Sequence, residues 1–221
     1  MKLNSLPNQR SPDQCAFSLI EMIGVLAVIA ILAALLIAKV FSAIADAKIN
    51  NTLVGTETIK SAVADHYGKY GRFDTIFGTN NLTAPQFGYD TKVLMFESLL
   101  DKPFQTKLGT NSYIIMAACD EPGDVVAAPN AIPNGTDEGE NAYCLDGNGP
   151  KNEASGQYVI EAVITGVPEA DALALSQRLD GPSLSASSAS TAPGTGDLNG
   201  RVKYDGANGG VTTVYIYITH R

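Results

Sequence analysis

An apolar run near the N-terminus constrains this chain more than any other feature of its sequence. Residues 1–16 are polar, whereas the 22 residues from Phe17 to Ala38 carry a single charge, that of Glu21. Because an α-helix rises 1.5 Å per residue, this run spans about 33 Å, enough to cross a hydrocarbon core of roughly 30 Å. The run therefore predicts a membrane-spanning helix preceded by a short polar leader.

Two ordinary export signals give a poorer account of the same run. A secretory signal peptide has a shorter apolar region that ends at a cleavage site of small residues. Here Lys39 leads directly into more helical sequence. A lipoprotein signal places its cysteine after the apolar run, whereas Cys15 precedes it. These differences leave either a signal anchor or a more specialised N-terminal signal.

Glu21 is the only charged residue inside the run, and two interpretations of it stay open. An ionised carboxylate within a membrane costs roughly 3 kcal/mol or more unless it is paired, so such a residue is usually functional. The alternative is that Glu21 simply lies at the membrane interface, because it comes four residues into the run.

The residues around Glu21 resemble the N-terminus of type IV pilins and of the pseudopilins of type II secretion. The segment from Ala16 to Met22 (AFSLIEM) and the apolar run after it carry the resemblance. In that family a prepilin peptidase cuts before a phenylalanine, the new amine is methylated, and a glutamate occupies the fifth mature position. The resemblance implies cleavage between Ala16 and Phe17, methylation of Phe17 and an assembly role for Glu21. Ala16 departs from the family's strong preference for glycine before the cut.

The resemblance also implies a function, a set of partners and a location. The chain would be a structural subunit of a type IV pilus-like filament, a helical polymer of itself. Its other partners would be the prepilin peptidase, an inner-membrane assembly platform and the lipid bilayer. The precursor would span the inner membrane once, and the assembled filament would be periplasmic or extracellular. Two alternatives stay open: a pseudopilin or minor pilin of a type II secretion or competence system, and a membrane-anchored binding domain that does not polymerise.

Composition argues against several other classes of protein. The net charge is −8, so the surface is not suited to binding nucleic-acid phosphates by bulk charge. His66 and His220 are the only histidines, which excludes a histidine-rich metal site. The sequence holds no nucleophile-elbow, zinc-protease or phosphate-loop motif. We therefore expect a protein that is not an enzyme.

Two segments resemble calcium loops faintly, and no cofactor is expected from them. They are Asp146–Gly149 and Asp197–Gly200, and in each the fifth ligand position is taken by an unsuitable residue, Pro150 or Arg201. Solvated glycine-rich turns are the preferred interpretation. An irregular calcium site in the acidic loop is kept as the alternative.

The helical pattern continues beyond the apolar run. An apolar stripe with a period of about 3.6 residues indicates that one helix extends to about Tyr70, where Gly68 and Gly71 end it. The stripe consists of Phe41, Ala45, Ile49, Leu53, Thr56, Ile59, Val63, Tyr67 and Tyr70. Many pilins and major pseudopilins carry a proline at the position that matches Ala38, and this chain has none between Phe17 and Tyr70. We therefore predict a continuous helix across residues 25–50.

The remaining sequence predicts an α+β fold of the pilin type, in which the long N-terminal helix packs on an antiparallel sheet. Its expected elements are short helices at 91–100 and 168–179, strands at 112–118 and 157–165, and a hairpin of 201–205 with 211–219. Residues 183–196 form a Ser/Ala/Thr-rich surface loop. The resulting organisation is a leader at 1–16, a hydrophobic helix at 17–40, its amphipathic continuation at 41–71 and a globular α+β head at 72–221.

The three cysteines are Cys15, Cys119 and Cys144, so at least one of them is outside any intramolecular disulfide. Cleavage before Phe17 would remove Cys15 with the leader. Cys119 and Cys144 enclose most of a segment, Asp120–Asp146, that holds seven acidic residues and no basic one. In an exported protein this pair is best interpreted as a disulfide, and two buried free thiols are the alternative.

Overall fold

A computed structural model describes residues 18–73, 86–118, 143, 158–190, 192 and 195–220. Contacts divide the chain into a first unit, Met1–Ile44, and a second unit, Ala45–Arg221. In chain order the elements are α1 (Leu19–Tyr70), β1 (Gln86–Phe87), a π-helical turn (Asp90–Leu94), β2 (Asn111–Ala118), β3 (Tyr158–Pro168), α2 (Glu169–Asp180), β4 (Val202–Tyr204) and β5 (Val211–His220).

The helix α1 is a single element of 52 residues, which confirms the prediction of a continuous helix across residues 25–50. It ends where the sequence predicts, because Gly71 adopts a left-handed φ of +68° that residues with a Cβ rarely take. The amide of Gly71 donates to the carbonyl of Tyr67 at 2.7 Å and closes the last turn.

Within the second unit α1 buries one face, as the periodicity predicts. The buried residues are Ile49, Thr52, Thr56, Ile59, Ala62, Val63 and His66. Of the predicted stripe, Phe41 is 68% exposed and lies in the first unit, whereas Leu53 and Tyr67 are partly buried and pack against the core. Thr52 and His66 face inward in place of more apolar neighbours because each has a polar partner there, Thr106 and Glu97.

The five strands form one antiparallel sheet in the order β1-β2-β3-β5-β4. Side chains alternate between its faces, so one face packs against α1 and α2 and the other carries a second row of residues. The inner face contributes Ile114, Met116, Ile160, Ala162, Ile164, Val202, Tyr204, Val214, Ile216 and Ile218 to the main core. This arrangement confirms the predicted α+β fold class, with the helix packed on an antiparallel sheet.

The predicted strands, the second helix and the C-terminal hairpin are confirmed within about three residues at each end. The helix predicted at 91–100 is wrong: only the π-helical turn Asp90–Leu94 forms, and turns follow it. A helix cannot continue through Ser98, which has a left-handed φ of +58°. The Asp90 carboxylate accepts the Phe104 amide at 2.8 Å and ties the following segment to the π-helical turn. The two-residue strand β1 has no counterpart among the predicted elements.

Candidate functional site

The first part of α1 is apolar on every side and exposed on every side. All described residues from Ser18 to Ile44 are exposed, including Leu19, Ile20, Leu26, Ile31, Leu35 and Leu36 at 54% or more. Monomeric soluble proteins rarely leave so large an apolar surface in contact with water. Among the described residues this is the one helix that is long and apolar enough to cross a membrane. Lipid or other apolar chains must therefore cover it.

Glu21 lies in the first turn of this helix, and its carboxylate caps the helix start. Its Oε2 accepts a hydrogen bond from the backbone N–H of Ser18 at 2.8 Å. The spacing is that of a capping box, in which an acidic residue satisfies an amide that the helix leaves unpaired. The positive end of the helix dipole also favours a negative charge there. Because a carboxylate can accept about four hydrogen bonds, Glu21 retains capacity for a second donor.

The other residues of the predicted processing and disulfide sites lie outside the described residues. These are Ala16, Phe17, Cys119 and Cys144. The described neighbours of the two cysteines lie close together on the sheet. Ala118, which precedes Cys119, pairs with Tyr158, and Tyr143, which precedes Cys144, packs on Val159.

We propose that Cys119 and Cys144 form a disulfide, because the residues that precede them, Ala118 and Tyr143, adjoin consecutive residues of β3. Its loss should lower the free energy of unfolding by up to about 3.5 kcal/mol in the chain-entropy model. Mass spectrometry without reduction should show a mature chain two hydrogens lighter than the reduced chain. Alkylation of both cysteines in unreduced protein would contradict the expectation.

The outer face of the sheet carries a buried cluster of Tyr143, Glu161 and Lys203, each less than 10% exposed. The Tyr143 hydroxyl donates to Glu161 Oε2 at 2.5 Å, and Lys203 Nζ lies 3.8 Å from the centre of the Tyr143 ring. Burial raises the pKa of the Glu161 carboxyl, while Lys203 and the hydrogen bond from Tyr143 act in the opposite direction. Burial, followed by the charge of Glu161, raises the pKa of Tyr143 well above its ordinary value.

His66 and Glu97 form a second buried pair. The distance from His66 Nδ1 to Glu97 Oε2 is 2.7 Å, and the two side chains are 0% and 4% exposed. The rings of Tyr70 and Tyr89 lie 5.0 and 6.2 Å from the His66 ring. A histidine–carboxylate pair can serve as a catalytic base, but this one is closed to any substrate from solvent. It joins α1 to the segment after the π-helical turn.

Asp197 corrects the expectation of a solvated turn at Asp197–Gly200, because it is only 2% exposed. Its Oδ2 accepts from the Ser176 hydroxyl at 2.6 Å and from the Ala186 amide at 2.9 Å. Its Oδ1 accepts from the Asn199 amide at 3.1 Å. The described residues contain no cluster of three or more metal-ligating His, Cys, Asp or Glu side chains. Asp146–Gly149 lies outside the described residues.

Comparison with known families identifies the N-terminal segment. A family described as the prokaryotic N-terminal methylation motif matches residues 11–37. The match spans the predicted cleavage position, Glu21 and most of the exposed apolar part of α1. Neither the curated proteins nor the solved structures give a match. The chain therefore carries the N-terminal signal of type IV pilins and pseudopilins.

Proposed function

We propose that this chain is a structural subunit of a type IV pilus-like filament, made as a membrane-anchored precursor and assembled after cleavage before Phe17. One observation carries the proposal. The methylation motif at residues 11–37 overlaps the start of α1, whose residues 19–44 are exposed and almost entirely apolar. A membrane covers such a surface before assembly, and neighbouring helices cover it afterwards.

Assembly follows from the chemistry of the new N-terminus. Cleavage frees the amine of Phe17, which is positively charged at neutral pH. In a filament the Glu21 carboxylate of one subunit meets the Phe17 amine of its neighbour, so neither charge is left alone in an apolar surrounding. Because any other axial offset separates the two charges, the pair also fixes the register between subunits.

The proposed role is structural rather than catalytic. The two buried ionisable clusters, Tyr143–Glu161–Lys203 and His66–Glu97, join elements of the second unit and are shielded from solvent. The partners in this proposal are other copies of the chain, the prepilin peptidase, the assembly platform of the inner membrane and the bilayer.

The cut between Ala16 and Phe17 is the direct test of this proposal. Mass spectrometry of the mature protein should show a chain that begins at Phe17 and carries one added methyl group. Ala16→Gly, which restores the residue that the family prefers, should be processed at least as fully. Ala16→Leu should keep the leader, because the cut site accepts only a small residue. A mature chain that begins at Met1, or that is cut after Ala38, would refute the proposal.

A minor pilin or pseudopilin is the second candidate, and Ala38 favours a divergent pilin or a minor subunit over the commonest type of major pilin. Many pilins and major pseudopilins carry a proline at the matching position, whereas α1 has Ala38 there and is helical throughout this region. Electron microscopy of producing cells separates the candidates. A major pilin forms long surface filaments, whereas deletion of a minor subunit changes the number or function of filaments made of another subunit. A non-polymerising membrane-anchored domain would give no filament in either case.

A further inference from the structure

The side chain of Arg178, in the last turn of α2, forms two hydrogen bonds to α1. Arg178 Nη1 donates to Asn50 Oδ1 at 2.8 Å, and Nη2 donates to Asp46 Oδ1 at 3.3 Å. Asp46 and Asn50 lie four residues apart, so they occupy successive turns on the same face of α1. The planar guanidinium therefore spans one turn of the helix with two separate donors.

This turn of α2 is itself fixed to the sheet. The Asp180 side chain is 1% exposed, and its carboxylate accepts the backbone amides of Arg201 and Val202, both at 2.9 Å. The Arg201 guanidinium in turn donates to the Leu179 carbonyl. Gly200 permits this close approach, because a Cβ there would lie 2.5 Å from the Asp180 carboxylate and the φ of Gly200 is +78°. The Arg178 side chain therefore extends from a backbone segment that is fixed to the sheet.

The contacts of Arg178 occur where α1 has little other support. Ile49 is the first buried residue of α1, and the Asp46 side chain is 57% exposed. The next hydrogen bond from α1 to another element joins Thr52 to Thr106 at 2.5 Å. Within the described part of the second unit, Arg178 is thus the hydrogen-bonding partner of α1 that lies nearest to the start of the unit.

We propose that Arg178 anchors the first turn of α1 that belongs to the second unit. It would thereby fix the rotation of this Asp46–Asn50 turn about the helix axis. Because the two acceptors lie on successive turns, a rotation of α1 would break at least one of the hydrogen bonds. The value of such an anchor rests on the proposed filament function, because a helix that packs among neighbouring helices must present fixed faces to them.

Hydrogen exchange of the full chain in detergent micelles tests this inference. In Arg178→Ala the amides of residues 46–50 should exchange roughly five- to tenfold faster, which corresponds to about 1 kcal/mol of lost local stability. Arg178→Lys should give an intermediate increase, because one ammonium cannot span both acceptors. Lys69→Ala, which removes an exposed charge from the last turn of α1, serves as the matched control and should leave these amides unchanged.

Two outcomes would overturn the inference. Unchanged exchange at residues 46–50 in Arg178→Ala would show that Arg178 does not hold this turn. Faster exchange throughout the second unit, including β2 and β3, would show that Arg178 stabilises the unit as a whole instead. Because the measurement uses unassembled protein, its result does not depend on whether the chain forms filaments.

Discussion

Glu21→Gln is expected to leave the amount of protein in the membrane fraction unchanged while it reduces sheared filaments by at least about tenfold. Removing one partner of a buried charge pair costs roughly 3 kcal/mol at each subunit contact, which is far more than a tenfold change in affinity. Insertion should not suffer, because a neutral side chain enters the membrane more easily than a carboxylate. Quantitative blotting of membrane and sheared fractions from the same cells gives both values.

Two further variants sharpen this experiment. Asp65→Asn removes an exposed acidic charge from the same helix and should assemble normally. Glu21→Asp keeps the charge on a shorter side chain and should assemble better than Glu21→Gln. Normal filaments from Glu21→Gln would show that the carboxylate serves only to cap its own helix through the Ser18 amide.

Glu161→Ala is expected to lower the free energy of unfolding by about 3 kcal/mol, because it removes a buried carboxyl group that interacts with Lys203. It also removes the acceptor of the Tyr143 hydroxyl. Thermal unfolding of the full chain in micelles, followed by the near-ultraviolet signal of its tyrosines, measures the change. Glu57→Ala, which alters an exposed glutamate of α1, is the control and should change little. An effect of Glu161→Ala no larger than the control would contradict the importance of the cluster.

The difference in the free energy of unfolding between Glu161→Gln and wild type should change with pH in a defined direction. Burial raises the folded-state pKa of Glu161 above its ordinary value of 4.5, so the folded state favours the protonated form. The contribution of this carboxyl to stability is therefore complete below the ordinary pKa and is lost as the pH rises through the folded-state pKa. Compared with wild type, Glu161→Gln should become progressively more stable as the pH rises above 4.5 toward the folded-state pKa of Glu161. A difference that is constant or falls over this range would be inconsistent with the raised pKa.

The parts of the fold that could be predicted are those that depend on local patterns. The length of α1 follows from its periodicity and from the absence of proline, and its end follows from the conformational freedom of Gly71. The strands follow from runs of β-branched and aromatic residues between turn residues. The N-terminal methylation motif could also be predicted, because the predicted cut site, Glu21 and the apolar run are adjacent in sequence.

The buried polar groups could not be predicted in the same way, because their partners are distant in sequence. His66 looks like a residue beside the apolar stripe until Glu97, 31 residues later, supplies its partner. For Glu161 the sequence contains one indication of a buried polar role, because it is the only charged residue in the apolar strand β3. Its partners, Tyr143 and Lys203, come from separate parts of the chain, and only tertiary structure brings them together.

The unbroken winding of α1 has a mechanical consequence for any filament built from it. A residue in a helix advances about 1.5 Å and an extended residue about 3.3 Å, so unwinding ten residues would lengthen a stem by roughly 18 Å. A proline supplies a point where such unwinding starts, and α1 has none along its 52 residues. A helix that does not unwind cannot release this additional length. We therefore expect a filament of this chain to be stiff under tension and to extend only slightly before its subunits separate.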